Sequence, residues 1–512
     1  MKRLPKKMFL LLALGLPLIT TGFSLLGPFK NGTAPNDWQG AGFGGRPLGL
    51  GYSLPGDIGG PMFPLEGYRW NVPVITYGFD ESFIRYFGPE GMAAVSAAIQ
   101  ILNDLPPVSA LSPDLHEYPT DIKQQAHLNF ELQTVGLLDL KSFALSLILE
   151  EMGLAKPERF VWGLRSRTTF PTTTNYATIN LNFDPLTLVP SRYVNGVLYH
   201  YLIIDAIGLT GQEWASAVEF YRPDPFYYAY SSVAGGVGSD DLEFLETPLN
   251  SFQTGFGFSN LEAGQYFSGL TRDDVGGLRY LYNPKNLVTE RLLSDVTGGR
   301  VTGTGTGTGT TGSPWTPFFS NTNVFLAATN VIFNTNTSGT NLTVQGIRPG
   351  INKILFRKVE FDSLLGQILI PMTNKFTDTF ITNGRPVIQA VQRAPSQPDI
   401  LFLVQDLGLT AGGTPQLTAR TTTASWQNND AINGASFLGG PGVIAPPVGG
   451  SVGIFFSDVL PFYRNFDPIN LEDRLAGSGF WGSFDGSTNE PVIYPRYLNI
   501  SLRDLKNVAL AP

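Results

Sequence analysis

Imidazole and thiol groups, the usual ligands of catalytic metals and activators of nucleophiles, are scarce in this chain. Its 512 residues include three histidines, His116, His127 and His200, and no cysteine. The pair at 116–117 opens an H-E-x-x pattern, but the Pro-Thr pair at 119–120 breaks the required helix and replaces its second histidine. A histidine zinc site would need all three residues, so we expect none. The lack of cysteine excludes disulfides and thiolate nucleophiles.

Two acidic turns offer the hard oxygen ligands that Ca²⁺ prefers. Asp240 and Asp241 belong to the first turn, and Asp485, Asn489 and Glu490 belong to the second. Neither turn matches an EF-hand loop, and solvated surface turns are the alternative interpretation. Calcium is therefore the one metal ion for which the sequence offers candidate ligands, and no other cofactor is indicated.

Periodicity and end signals predict the elements that would position such groups. Apolar residues recur at helical spacing after the Gly-Pro-Glu at 88–90, over 139–153, and from a capping-box pattern at 271–274. Residues 72–79 and 127–133 are typical of strands. The helix at 139–153 carries the sequence SFALSLILEEMGL, whose Gly-Leu ending closes it.

In this order, the elements resemble those of matrixin-type metzincin peptidases over residues 68 to about 285. The resemblance rests on a Thr-Tyr strand with a helix directly after it, the apolar helix that ends in Gly-Leu, and a last helix that reads DDVGGLRYLYN. In that family the second helix carries H-E-x-x-H-x-x-G-x-x-H, whose histidines bind zinc and whose glutamate activates the zinc-bound water. The resemblance implies an α+β domain with a mixed sheet and three main helices.

Placed on the family motif without gaps, this sequence lacks the groups that do the chemistry. Ser146 and Glu150 occupy the first and second ligand positions, Leu147 that of the general base, and Lys156 that of the third ligand. A lysine brings positive charge to where a cation should sit. The family's Met-turn has no counterpart, since the next methionine after the helix is Met372. The resemblance therefore implies a pseudo-metallopeptidase without catalytic residues or zinc.

The N-terminus has the features of an export signal, predicted here as residues 1–24. Four basic residues precede an apolar run at 8–19, and small residues follow near 22–24. An uncleaved membrane anchor is the alternative, because Leu25 and Leu26 could extend the apolar run. Either outcome predicts a secreted, periplasmic or cell-surface protein, and no later segment is long enough to span a membrane.

Composition divides the rest of the chain. A Gly/Pro-rich leader at 25–66 precedes the metzincin-like domain at 67–298. The Thr/Gly stretch at 299–314 cannot bury apolar surface, so it is predicted to be a flexible linker. The β-rich segments of 315–512 predict an all-β, sandwich-like region, and the pattern-poor stretch 411–450 could divide it into two subdomains.

Charge and site chemistry together select a function. The formal net charge of −8 opposes binding of a phosphate backbone, so no nucleic-acid partner is expected. We predict a non-catalytic surface, matrix or binding protein whose partner is an extracellular or cell-surface protein or polysaccharide, or a second copy of the chain. Two alternatives stay open: a secreted peptidase or glycosidase with an unrecognised site, and a self-assembling surface-layer protein.

Overall fold

The computed structural model of this chain is a mixed α+β protein with few helices and many strands. The structure describes residues 21–27, 60–64, 67–120, 125–155, 157, 163–170, 173–207, 213–221, 228–235, 263–298, 332–333, 342–406, 419–421, 426–428, 442–458, 460–461 and 478–509.

Five α-helices lie within these described ranges. They are α1 (Glu81–Asp104), α2 (Phe130–Thr134), α3 (Leu140–Glu151), α4 (Arg272–Tyr282) and α5 (Leu502–Ala509), and short 3₁₀ helices cover Val108–Ala110 and Arg496–Leu498. Among the described helices, none is both long enough and apolar enough to cross a membrane.

The central feature of the fold is a five-stranded sheet, hereafter the central sheet. From edge to edge its strands are Leu355–Lys358, Val74–Phe79, Ile400–Gln405, Val452–Ser457 and Ala419–Thr421. The first four are parallel, and the last pairs antiparallel at the edge. The three inner strands are largely apolar because both faces of a parallel sheet are covered, whereas the edge strand Leu355–Lys358 ends in the exposed Arg357 and Lys358. Helix α1 packs against the first three.

The other described strands form eight further sheets, one of which has six strands. The two-stranded sheets are Ala126–Leu128 with Gln265–Phe267, Gly163–Phe170 with Thr173–Ile179, and Phe361–Asp362 with Gln367–Ile368; the three-stranded sheets are Ser24–Gly27 with Gly60–Met62 and Leu154–Ala155, and Trp426–Asn428 with Gly442–Ile444 and Tyr68–Arg69. One four-stranded sheet contains Tyr193–Val194, Val197–Ile207, Glu213–Tyr221 and Tyr228–Gly235, and the other contains Leu460–Pro461, Ser478–Ser483, Val492–Ile493 and Leu137–Asp139. The six-stranded sheet contains Val288–Arg291, Gln345–Arg348, Asn374–Thr382, Arg385–Arg393, Val296–Gly298 and Ile332–Phe333.

The central sheet joins the two regions that the sequence predicts as separate domains. Val74–Phe79, from the 67–298 region, pairs on both sides with strands from 315–512. The predicted linker at 299–314 lies outside the described residues. The two regions therefore share one sheet.

The C-terminal region is not all-β as predicted, because helix α5 follows its last strand. The Ser501 amide and hydroxyl donate to the Asp504 carboxylate at 3.0 and 2.6 Å, and these bonds cap the first turn of the helix. The Ser-x-x-Asp spacing at 501–504 is a sequence signal that could have indicated this helix.

Two predicted element boundaries also require correction. Helix α1 begins at Glu81 instead of near Gly88, because the Asp80 side chain accepts a hydrogen bond from the Ser82 amide at 2.8 Å. Gly88, with a φ of 65°, kinks this element. The strand predicted at 127–133 ends at residue 128, and α2 follows it.

The hydrophobic core and a set of buried ion pairs hold both chain regions together. Phe402 and Phe456 of the central sheet pack against aromatic rings of α1 in tilted or edge-on arrangements, and Trp481 meets Phe456 edge-on at 5.4 Å. Three arginine–carboxylate pairs are almost wholly buried: the first lies within residues 67–298, and the other two lie within residues 342–399. They are Arg69–Glu290, whose guanidinium also donates to the Arg348 carbonyl, Arg348–Asp378 and Arg393–Asp399.

The end of the predicted export signal is part of the folded core. Residues 21–27 are buried, and the Phe23 ring lies 5.7 Å from the Tyr280 ring and 6.4 Å from that of Phe183. Ser24–Gly27 is the middle strand of a three-stranded sheet. Cleavage after residue 24 would remove Phe23 from this core, and the boundary at residue 24 stays a prediction. Export itself stays a prediction.

Candidate functional site

Helix α3 is the element that the sequence predicts as the candidate active-site helix. Its N-cap is Asp139, whose carboxylate accepts hydrogen bonds from the Ser142 amide and hydroxyl at 3.0 and 2.5 Å. At its other end, Trp70 and Tyr282 donate hydrogen bonds to the carbonyls of residues 151 and 152, at 2.7 and 3.0 Å. Both ends of α3 are thus fixed by side chains from other elements.

The turn after α3 depends on glycine, as the sequence predicts. Gly153 has a φ of 96°, in the left-handed region, and a Cβ at this position would collide with the Tyr68 carbonyl. The chain then continues as the strand Leu154–Ala155, which pairs with Ser24 and Leu25. A close approach of two backbones therefore explains this glycine without any role in metal binding.

Three of the four positions that the resemblance aligns with the zinc-site motif are enclosed in protein. Ser146, Leu147 and Glu150 are 5, 7 and 7% exposed, and Lys156 lies outside the described residues. Helix α3 packs against α1, against Gln265–Phe267 and against Ser478–Ser483. A substrate could reach Ser146 or Glu150 only by displacing these elements.

The three histidines belong to segments other than α3 and lie in different settings. The His116 Nδ1 atom lies 2.8 Å from Asp114 on the surface, and this hydrogen bond raises the pKa of His116. The nearby Ser112 hydroxyl bonds to the Glu117 carboxylate and not to the imidazole. His127 contacts the Ser268 hydroxyl at 3.1 Å, and His200 lies in the strand Val197–Ile207.

A pocket of about 410 Å³ forms where α2, the loop 484–491 and the start of α5 meet. It includes all three residues of the second predicted calcium turn, whereas Asp240 and Asp241 lie outside the described residues. Leu132, Phe484 and Leu502 supply its apolar wall, and its polar lining comprises Asn129, Glu131, Asp485, Ser487, Thr488, Asn489, Glu490, Arg503 and Lys506.

Local hydrogen bonds fix the shape of the pocket. The Asn129 side chain accepts from the Leu132 amide at 3.2 Å and thereby starts α2. In the loop, Asp485 accepts from the Ser487 amide at 2.8 Å, and the Ser487 hydroxyl accepts from the Asn489 amide at 3.2 Å. These bonds form consecutive turns, so the loop is held by its own side chains.

The pocket carries charges of both signs. Lys506 forms an ion pair with Glu131 across it, and Arg503 lines the same space as Asp485 and Glu490. Hydrogen bonds from Ser487 lower the pKa of Asp485, which therefore stays ionised at neutral pH. Two cationic groups lie beside three carboxylates in this pocket. Their positive charge opposes binding of a bare divalent ion, and the mixture of groups suits a ligand with both hydrogen-bond donors and acceptors.

Sequence reasoning found the acidic loop of this pocket but missed its other walls. Asn129 and Lys506 come from segments predicted as strand and as β-rich region, although the Ser-x-x-Asp cap could have indicated α5. Over the residues that the structure describes, no three His, Asp or Glu side chains lie close enough to hold a metal ion. Calcium binding at 485–490 stays a prediction.

No protein-family model, curated protein or solved structure matches this chain.

Proposed function

We propose that this protein is an exported, non-catalytic binding protein on a degenerate metzincin-like scaffold. One observation carries the proposal: Ser146 and Glu150, at the first two zinc-ligand positions of that family, and Leu147, at its general-base position, are buried and lack the histidine and glutamate side chains that the family uses there. A helix that is enclosed on its sides and fixed at both ends contributes to the packing of the core and not to catalysis. The scaffold would then support a binding surface elsewhere.

The order and packing of several elements support the metzincin-like part of the proposal. The strand Val74–Phe79 is followed directly by α1, which packs against α3, and α4 contacts the strand after α3. Helix α4 begins at the capping box of Thr271 and Asp274, within the segment that carries the resemblance.

The pocket beside α5 is the binding surface that we propose, with a polysaccharide as its ligand. Its volume lies in the usual range for small-ligand sites of roughly 300–1,000 Å³. Amides at Asn129 and Asn489 both donate and accept, carboxylates accept, and Arg503 donates. Sugar hydroxyls need this mixture, and the ring of Phe484 offers an apolar face beside it.

Calorimetric titration of the full chain with chitotetraose and with cellotetraose tests this proposal. We expect one of the two sugars to bind. The double variant Asn489→Ala with Arg503→Ala should weaken that binding by about tenfold or more, because two direct hydrogen-bonding partners are lost. Arg385→Ala, an exposed change at the first residue of the strand Arg385–Arg393 and outside the pocket lining, is the matched control and should leave affinity unchanged.

Chromatography of the sugars after incubation separates binding from catalysis. Intact tetrasaccharide supports a binding protein. Cleavage that is lost in Glu490→Gln would instead favour the secreted glycosidase that the sequence left open, because such an enzyme needs paired carboxylates. Failure of both sugars to bind would contradict the polysaccharide assignment.

A further inference from the structure

A short β-hairpin displays four large aliphatic side chains to solvent. Its strands are Phe361–Asp362 and Gln367–Ile368, and the segment 361–370 is called the leucine hairpin here. Leu364 is 98% exposed and Leu365 65%, and just after the second strand Leu369 and Ile370 are 51 and 70% exposed. Isolated exposed aliphatic residues are common, but four within seven positions form a patch that calls for an explanation.

The fold holds this turn outward instead of letting it collapse onto the protein. The Asp362 carboxylate accepts hydrogen bonds from the amides of Leu364 and Leu365 at 2.8 and 2.9 Å. The backbone carbonyl of Asp362 accepts from the Gly366 amide at 2.8 Å. Gly366 has a φ of 65°, which a glycine adopts without strain. A single aspartate thus fixes the turn that carries both leucines.

The base of the leucine hairpin is anchored to the body of the protein. Ile368 is buried, and its amide donates to the Ser396 carbonyl at 2.8 Å. The Ser363 hydroxyl accepts from the Glu81 amide at the start of α1, also at 2.8 Å. The apolar side chains therefore project from a rigid support, which lowers the entropy cost of burying them in a partner.

Area and charge select the kind of partner. Four such side chains expose on the order of 400 Å² of apolar surface, half of the roughly 800 Å² per partner that a stable protein complex buries. Residues 363–374 contain no charged side chain, so no ion would lose its water on burial. A small, convex, uncharged knob fits a fluid apolar phase, which needs no complementary shape.

We propose that the leucine hairpin inserts into the interface of a lipid bilayer. Leu364 and Leu365 enter first, Leu369 and Ile370 follow, and Asp362 stays at the water boundary. The driving force is burial of apolar surface, so neutral lipid suffices and the binding is reversible. This inference does not depend on the sugar-binding pocket.

The natural absence of cysteine allows a local test in the full chain. Leu364→Cys, labelled with an environment-sensitive fluorophore, is mixed with phosphatidylcholine vesicles, and Val448→Cys, at a site 88% exposed, is the matched control. We expect a blue shift and a severalfold brightening at 364 and no change at 448. The label reports its own site, so lipid contact by the N-terminal apolar run would not imitate this result.

Two further readouts identify the phase that the label enters. Lipids brominated along their acyl chains should quench the label at 364, and adding Leu369→Ser with Ile370→Ser should weaken the vesicle-induced brightening by about tenfold or more. High salt should leave the signal intact, because the contact is apolar. The proposal would be overturned by equal signals at 364 and 448 or by loss of the signal in high salt. It would also be overturned by the same shift in concentrated protein without vesicles, which would indicate that a second copy of the chain covers the leucine hairpin.

Discussion

The Asp399 carboxylate accepts hydrogen bonds from both the backbone amide and the hydroxyl of Thr76, at 2.7 and 2.9 Å. The Asp399 amide donates back to the Thr76 hydroxyl at 3.0 Å. Both residues are fully buried, and they lie on opposite sides of the Thr/Gly stretch. This reciprocal contact fixes Val74–Phe79 beside Ile400–Gln405 at the centre of the sheet.

Asp399→Asn should destabilise the protein strongly. The Arg393 guanidinium donates to both oxygens of Asp399, at 3.0 and 2.5 Å, and without Asp399 it would keep only the partly exposed Asp295 as a counter-charge. Removal of one partner of a buried pair costs about 3–5 kcal/mol. Urea unfolding followed by circular dichroism measures the loss. Asp485→Asn on the exposed loop should change stability by less than about 0.5 kcal/mol, and equal effects of the two variants would contradict the role of Asp399.

Separate expression of residues 67–298 and 315–512 should give two unfolded fragments. Each fragment lacks strands on which the other depends, and the first would expose both edges of Val74–Phe79. Nuclear magnetic resonance of each fragment alone, and then of the mixture, checks this expectation. Well-dispersed spectra from either fragment alone would show that the central sheet is not required, and the intact chain serves as the control.

Acidic pH should favour folding through Asp274. Burial raises the pKa of Asp274 to about 7, from an ordinary value of 3.8. Between these values the folded state binds more protons than the unfolded state, so the free energy of unfolding falls as pH rises. The contribution is fully present below about pH 4 and lost above about pH 7. Its slope is at most about 1.4 kcal/mol per pH unit.

Asp274→Asn should reduce this slope, because it removes one titrating group while burial still raises the pKa of Asp139 to about 6 and that of Asp273. The new amide oxygen can still accept from the Thr271 amide, which Asp274 binds at 2.8 Å. Urea unfolding at a series of pH values from 4 to 7 provides the comparison. Asp504→Asn is the matched control, since Asp504 caps α5 in the same way but is exposed and has a lowered pKa. A wild-type slope in Asp274→Asn would show that other groups cause the pH dependence.

Gly153→Ala should cost more stability than Gly384→Ala. Both glycines have a positive φ, of 96 and 70°, so both substitutions bring backbone strain of about 1–3 kcal/mol. Only at Gly153 does the new methyl group also collide with the Tyr68 carbonyl, whereas nothing lies within 4 Å at Gly384. Thermal unfolding compares the two variants. Equal losses would mean that the backbone at Tyr68 yields without cost.

Local signals in the sequence predicted local structure well. The capping box at Thr271 and Asp274 marked the start of α4, and Gly153 marked the end of α3. These signals succeed because a cap or a left-handed turn depends on residues within one turn of a helix. The buried state of Glu150 was not evident, because it depends on the elements that cover α3.

Long-range pairing could not be derived in the same way. Nothing in the apolar run ILFLVQ at 400–405 indicates that it lies beside residues 77–79, since pairing depends on partners hundreds of positions away. The pocket shows the same difficulty, because Asn129, Asp485 and Arg503 meet only after the chain folds. The acidic loop was recognisable from composition, and its basic neighbours were not.

Metal analysis of the full chain, purified without added metal or chelator, tests the central claim most directly when it is combined with a casein-cleavage assay. The buried Ser146, Leu147 and Glu150 predict less than stoichiometric zinc and no cleavage, with or without added Zn²⁺. One zinc ion per chain together with chelator-sensitive cleavage of casein would contradict a non-catalytic scaffold.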